Sequence, residues 1–541
     1  MKTKLLLLVL LFTSLISISQ TTAIPDTNFE QALIDQGIDT NGLNGNILNS
    51  DAASVAYLAV QSEGITNLAG IEAFTSLSVF NCTYNEITSL DVTNNTMLTN
   101  LRCRSNQISS LDLSQNLNLT TLDVSQNQLS NLDVSMLSSL NSLSCSSNAL
   151  NALNISSNNA LTSLYCTAIG ITELDVTQNP LLEYLSSTNN SLTSLDLSQN
   201  LALKNLRVSN NDFTTMDTSN NTNLEIIEVY NNAITSLDFT QNTELQQLRC
   251  YNNFLTSLDI TQNTELFYLS CFNNQIESLD LNQNVQLTQL FCSFNQLTDL
   301  DVTQNTNLTI LEVTANSIGT IDVSQNLSLT ALYLGETDLL DLDVSENINL
   351  VILYCYQNAL TSLDLSSNIE LDLLYCFNNQ ITSMDLTSNA NLTYIHVGNN
   401  LLEDLNVQNG NNMAIVDNLF RVTGNPNLNC ITVDDEDWST TNWTIHVEPQ
   451  TSFSDDCDAL SIDEYAFQDL QIFPNPTSDF ITISIKESGS YTIVNSLGQK
   501  VLNGVLSSTT NQIQLIDLSK GLYFINVSSS LGTMTRKLIV E

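Results

Sequence analysis

Nine of the eleven cysteines fall in one register. Cys82, Cys103, Cys145, Cys166, Cys250, Cys271, Cys292, Cys355 and Cys376 are separated by 21 residues or multiples of 21. Thiolates so spaced could ligate a soft metal, but only His396 and His446 are available as imidazole partners. Val124, Val208, Val229, Val313, Leu334, Val397 and Ser187 occupy the same column elsewhere. The column therefore reads as buried thiols acting as small hydrophobes, and in-register parallel strands hold cysteines poorly for disulfides. Carboxylates form a second column, Asp91, Asp112, Asp133, Asp175 and onward to Asp385, with Asn154 and Asn406 departing. Neighbours about 5 Å apart in water repel by on the order of 1 kcal/mol before screening. Hydrogen bonds from Ser/Thr hydroxyls and turn amides in the D-[VLI]-[ST]-x-N stretch would offset this; divalent cations shared between turns are the other option. Asparagine forms a third column, Asn85, Asn106, Asn127 and onward, from which Ile169 and Thr337 depart. An inward amide there would satisfy backbone groups of the adjacent turn. His396 has no paired nucleophile, and the chain lacks a nucleophile elbow, a glycine-rich phosphate loop and an HExxH sequence. No two acids stand out from the ladder as a glycosidase pair. The sequence reads as a non-enzyme.

The element that positions these columns is a repeat. Leucine recurs every 21 residues from Leu77 to Leu392 for sixteen repeats, which predicts a solenoid whose turns bury their apolar faces against one another. In Leu77–Met97, apolar residues fall at Leu77, Phe80, Cys82, Ile87, Leu90 and Val92. Alternation over Leu77–Thr83 predicts a strand with one face inward. Stacked at roughly 4.8 Å per strand, sixteen repeats make a rod on the order of 80 Å long. The return half leaves little room for a helix, and short strands or extended segments are expected there. The pattern L-x-x-L-x-C-x-x-N resembles the leucine-rich repeat. With its 21-residue period and strand cysteine it is similar to the internalin-like and Bacteroidetes surface repeats. The expected fold class is an α/β leucine-rich repeat solenoid, β-rich with little helix and a parallel sheet on its concave face, followed by a small all-β sandwich.

Residues between the inward leucines of each strand should line the concave face. Ten of the fifteen tyrosines lie at such positions, as do Arg102, Arg104, Arg207 and Arg249. Such a patch has the composition of a recognition surface. Tyr333, Tyr354 and Tyr375 share one column, with Tyr356 and Phe377 beside them. These five, with Arg207 and Arg249, are the candidate ligand-binding residues, for a glycan or a protein. Cross-strand stacking that merely stabilises the sheet is the competing explanation.

The ends are distinct. Lys2, Lys4 and the apolar run Leu5–Ile18 predict a signal peptide over 1–23, with cleavage after Ser19 or Ala23. An N-terminal cap is expected over 24–54, with a helix at Phe29–Ile34. Its segment Asp39–Asp51 resembles an EF-hand calcium loop with one residue inserted before Asn44. The resemblance implies Asp39, Asn41, Asn44, Asn46 and Asp51 as ligands and calcium as the one cofactor; an Asn/Gly-rich turn is the alternative. The solenoid is assigned to 55–412 and a C-terminal cap to 413–457. Cys430 and Cys457, alone outside the column, are expected to form a disulfide in an oxidising compartment.

An acidic linker spans 458–470, and the 21-residue period is lost beyond it. Phe480–Ile485, Tyr491–Val494, Leu522–Val527 and Lys537–Val540 alternate as strands of a small antiparallel sandwich. Phe473-Pro474-Asn475-Pro476, Gly498-Gln499-Lys500-Val501, Gly521-Leu522-Tyr523 and Arg536-Lys537-Leu538 resemble the type A C-terminal sorting domain of the type IX secretion system. Membership implies that 471–541 engages the secretion machinery and that the chain is secreted or displayed on the outer cell surface. The formal charge of −44 argues against nucleic acid and anionic lipid as partners. The expected function is binding or adhesion through the aromatic face. The alternative is a structural surface or matrix protein assembling through calcium and its acidic ladder.

Overall fold

The computed structural model describes residues 20–457, 470–485, 488–529 and 532–541. Most of the expected signal peptide and of the acidic linker lies outside the described residues. The chain divides into two compact units, 1–429 with 437–451, and 430–436 with 452–541.

The first unit is a parallel solenoid. Eighteen strands, seventeen of three residues and the last of two, form one ladder from Tyr57–Ala59 to Phe420–Arg421. Register between neighbours is fixed at 21 residues through most of it, as in Leu353 opposite Leu374. In each strand the middle residue is buried, and its neighbours face outward. The repeating leucines and the cysteine-column residues are all buried. Each large apolar side chain buried in this way contributes roughly 1.5–3 kcal/mol relative to exposure. After each strand the chain turns inward through a left-handed residue. Sixteen positions from Tyr84 to Asn399, each just before the asparagine column, have φ between 52° and 58°. None is glycine, so the fold imposes this turn even on Phe294 at φ 54°, at a cost of roughly 1–2 kcal/mol.

The return half holds few strands and, among the described residues, no helix within the repeats, in line with the expected short strands or extended segments. It is strand only at Ser383–Asp385 and Asp404–Asn406 within the repeats. Elsewhere side chains make the bonds. Each aspartate of the column accepts the backbone N–H two residues on, as Asp259 Oδ1 does from Thr261 at 3.0 Å. A carboxylate that accepts the N–H of its own turn removes that group's need for a ladder partner. The N-terminal cap helix spans Thr27–Asp35. The strand Thr21–Ala23 pairs antiparallel with Asn46–Leu48, so the cap begins before residue 24 and includes residues assigned to the signal peptide.

Residues 413–457 are not one cap. Phe420–Arg421 and Asn425 add another turn to the solenoid after a four-residue insertion, with Ile395 opposite Phe420. Trp443 seals this end, stacked on Phe420 at 3.9 Å and donating from Nε1 to the Ile415 carbonyl. Cys430–Thr432 and Ser452–Ser454 pair in parallel within the second unit, where Cys430 is bonded to Cys457. The remainder of that unit is a sandwich of a three-stranded and a four-stranded antiparallel sheet over a core that includes Ile481, Ile493, Ile525 and Leu538.

Candidate functional site: the aromatic face of the sheet

Outward positions on adjacent strands lie one strand spacing apart, so aromatic side chains in one column meet face to face. Tyr230, Tyr251 and Phe272 stack at 4.4 and 4.3 Å with planes within 10°. Farther along, Tyr354 packs on Tyr375 at 4.1 Å, Tyr375 stacks on Tyr394 at 4.3 Å, and Tyr333 meets Tyr354 edge-on at 4.9 Å. Beside them Tyr356, Phe377 and His396 form a second stack, at 4.8 and 4.3 Å. Gly335 makes room for Tyr356: a Cβ there would fall 2.4 Å from the ring. Most of these rings are half-buried by one another.

The five aromatic candidates therefore come together, and the structure adds Tyr394, His396 and Arg421 to them. Arg421 lies over the Tyr394 ring at 5.9 Å. Its position was hidden in the sequence because the insertion before it breaks the 21-residue count. Burial, with the Arg421 charge adding, pushes the His396 imidazole down to about 4, so it is neutral at physiological pH. Burial raises the Tyr394 phenol to about 12.

Arg207 and Arg249 are elsewhere. Both reach Glu228, at 3.8 and 3.1 Å, and Arg249 covers Tyr268 at 4.2 Å. Tyr333 stands four strands farther on, roughly 19 Å away. The seven candidates thus form two patches on one face.

The three other columns are structural in geometry. Asn253 donates from Nδ2 to the Val229 and Cys250 carbonyls at 3.0 Å, and its Oδ1 accepts from Ile234 N–H at 3.0 Å. Burial pushes the Cys355 thiol up to about 12, which leaves it unreactive. In the acidic ladder, hydrogen bonds from Thr177 hold Asp175 below the usual carboxylate range. Sequence reading passed over a second asparagine ladder, four residues after the aspartates. Asn263 in it is fully buried and donates to the carbonyls of Phe239 and Asn242 at 3.0 and 2.7 Å. The recurrence of that asparagine was its only signal.

In the N-terminal cap the five predicted ligands divide. Asp51 is engaged by Thr40 and Ser50, Asn44 Oδ1 accepts from Asn46 N–H, and Asn46 Oδ1 accepts from Asn41. Asp39 Oδ2 and Asn41 Oδ1 are buried without a hydrogen-bond partner. Burial, with the charges of Glu30 and Asp51 adding, holds Asp39 above the usual carboxylate range.

Comparison with known proteins supports both units. Residues 471–541 match the family described as the secretion system C-terminal sorting domain. Beta-agarase A of Zobellia galactanivorans is 41% identical over 73 residues, 13% of each chain; that match spans about an eighth of the relative and carries nothing of its activity. The functional domain of InlJ from Listeria monocytogenes, described as including a cysteine ladder, aligns with TM-score 0.53 and 26% identity, covering 96% of this chain and 99% of its own. A leucine-rich repeat protein of Leptospira interrogans (TM-score 0.54, 22% identity, 75% and 97% covered) and the Listeria monocytogenes internalin InlF (0.50, 22%, 66% and 98%) share the fold. No helix among the described residues is long and apolar enough to cross a membrane. Residues 471–541 are thus a type IX secretion sorting domain, and the chain bearing them is a leucine-rich repeat protein of internalin-like fold directed to the outer surface or the medium.

Proposed function

We propose that the solenoid is a binding and adhesion module, without enzymatic activity, that holds a protein partner on the aromatic face around Tyr354, Tyr356, Tyr375 and Phe377. The observation that carries this reading is the way the rings are arranged. They pack against each other, Tyr356 on Phe377 with planes 2° apart and Tyr354 tilted by 41° on Tyr375. Their faces are thereby covered, and their edges and hydroxyls are what a partner meets. A sugar ring stacks on an open aromatic face; a protein surface packs against edges and hydrogen-bonds phenols. Arg207 and Arg249, held by Glu228, supply a second contact patch. A plant peptide hormone receptor solved with its peptide shares the fold at TM-score 0.55 and 17% identity, which illustrates a leucine-rich repeat scaffold holding a polypeptide.

The test is binding of the full secreted protein to intact cells, to protease-treated cells and to a glycan panel, with and without calcium. Wild-type protein should bind untreated cells, lose binding on protease treatment and show no preference on the panel. The Tyr354→Ala/Tyr356→Ala/Tyr375→Ala variant should lose at least about tenfold in affinity, since buried aromatic anchors cost about 2 kcal/mol or more each when truncated. Unchanged binding by that variant would reject the face. Glycan binding lost in the variant would keep the face and replace the ligand. Calcium-dependent self-association without a ligand would instead favour a structural surface protein assembling through the acidic ladder.

A further inference from the structure

The N-terminal cap has an electrostatic imbalance that its hydrogen bonds do not correct. Two of its carboxylates are inside: Glu30 is 1% exposed and Asp39 is 4% exposed. A buried carboxylate needs a cation or a full set of donors. Other acids of the cap have such donors. Asp26 caps the helix through Oδ1, and its Oδ2 accepts from Thr66 and Asn67. Glu30 Oε1 accepts three backbone N–H groups, from Asn44, Gly45 and Asn46, at 2.8, 2.6 and 3.1 Å. Asp39 differs. Its Oδ1 accepts from Asn41 N–H at 3.0 Å, the Gly42 N–H also acts on the carboxylate, and Oδ2 is enclosed without a hydrogen-bond partner. The side-chain oxygen of Asn41 is likewise enclosed without a donor, while its Nδ2 is spent on Asn46 at 3.1 Å. Two acceptor oxygens two residues apart, in a loop pinned to Glu30 and bonded to Asp51 through Thr40, are therefore left facing no hydrogen. The segment supplies no side-chain cation, because Gln20–Leu101 contains no Lys, Arg or His.

We propose that this loop binds one calcium ion through Asp39 Oδ2 and Asn41 Oδ1, with Glu30 holding the loop in shape and not ligating. The donors are hard oxygens, which select calcium over softer metals. Among the described residues no three His, Cys, Asp or Glu side chains gather into a metal cluster. Water and main-chain oxygens would complete the shell. Asn44, Asn46 and Asp51 lie outside the ligand set, because their oxygens already accept hydrogen bonds. With one carboxylate in the shell, affinity belongs in the range of extracellular modules, on the order of 10⁻⁴–10⁻³ M, which suits a protein that works outside the cell. The ion would fix the shape of the capping loop that Glu30 already holds against the helix, a role independent of the aromatic face.

The experiment compares the full secreted chain with Asp39→Asn by calcium titration in a calorimeter and by limited proteolysis of the cap. Asp39→Asn preserves shape and removes the buried charge, so it should fold, and in chelator it should resist proteolysis at least as well as wild type. Wild type should bind one equivalent more calcium than Asp39→Asn and become several-fold more resistant to cleavage within 37–48 when the ion is added. Asn41→Ala should weaken that equivalent without abolishing it, and Asp51→Asn should leave it in place. Equal stoichiometry in wild type and Asp39→Asn, or no saturable binding up to about 10 mM, tenfold above the weakest such modules, would overturn the proposal. Binding that disappears in Asp51→Asn but persists in Asp39→Asn would overturn the ligand assignment. Neither result bears on partner binding by the tyrosine variant.

Discussion

His396 shows how one side chain couples the aromatic face to pH. Its folded pKa is about 4, lowered by burial and then by Arg421, against about 6.5 in an unfolded chain. Between these values the unfolded state binds the extra proton, so stability is full above about pH 6.5 and falls as pH drops toward 4, by up to about 1.4 kcal/mol per pH unit. The expected outcome is that the melting temperature falls between pH 7.5 and pH 5, and that His396→Phe, which keeps a ring against Phe377, shrinks the fall. An equal fall in both proteins would show that His396 is not responsible. The ladder aspartates act lower on the scale. Hydrogen bonds from Thr177 and Thr303 depress the folded values of Asp175 and Asp301, so the contribution of these two holds above the ordinary carboxylate pKa and is lost as pH falls through the depressed one. The cysteine column makes a separate residue-scale prediction. All nine thiols are buried and unbonded to one another, so iodoacetamide should modify none in native protein and all nine in denaturant, read by intact mass; rapid native labelling would refute the buried assignment.

At the scale of the element, the repeat was legible because one column of leucine and one of asparagine recur without drift, and only a stacked turn needs both. The second asparagine ladder was not legible as such, because asparagine after Ser/Thr is also what any polar turn contains; its burial at Asn263 is a tertiary fact. Arg421 was missed for a different reason: insertion shifts register, and a periodic reading has no means of counting across it. The ladders differ in what their loss should do. Asn253→Ala removes four hydrogen bonds and leaves the Ile234 N–H unpaired inside the stack, while the Val229 and Cys250 carbonyls keep Asn232 and Asn274 as donors, a cost on the order of 1–3 kcal/mol. Because solenoid turns depend on their neighbours, hydrogen exchange should speed up first around Val229–Leu255; unchanged protection there would reject the role. In the sorting domain, Asn475 donates to the Lys537 carbonyl at 2.6 Å and accepts from Ile539 N–H at 2.9 Å, fixing the last strand with one amide. Asn475→Ala should leave more of the chain behind the outer membrane, measured by comparing periplasmic and external fractions; equal export would separate this clamp from secretion. The first strand makes a further prediction, since Thr21–Ala23 pairs with Asn46–Leu48 and cleavage after Ala23 would remove it. N-terminal sequencing of secreted protein should start at Gln20, and a start at Ile24 would show that the cap closes without that strand.

For the molecule as a whole, charge is unevenly distributed along the chain. Residues 471–541 contain five Lys/Arg and four Asp/Glu, so nearly all of the −44 lies before them. The aspartate column lines the turns of the return half, while the sheet face bears the rings and most of the solenoid's arginines together with fewer acids, among them Asp123, Glu228 and Glu312. A −44 chain repels acidic partners at long range, and at physiological ionic strength that field fades beyond about 8 Å. Contact energy therefore has to come from the stacked face, where burial of aromatic edges is insensitive to salt, with Arg207 and Arg249 already neutralised in part by Glu228. Raising sodium chloride from 0.15 to 1 M shortens the screening length to about 3 Å. If the face carries the binding, affinity for cells should change by less than about tenfold over that range, with the tyrosine variant remaining weak throughout. If the acidic ladder carries it, through basic partners or bridging cations, high salt should abolish binding and the tyrosine variant should follow wild type. The two outcomes assign the energy to opposite sides of the same repeat.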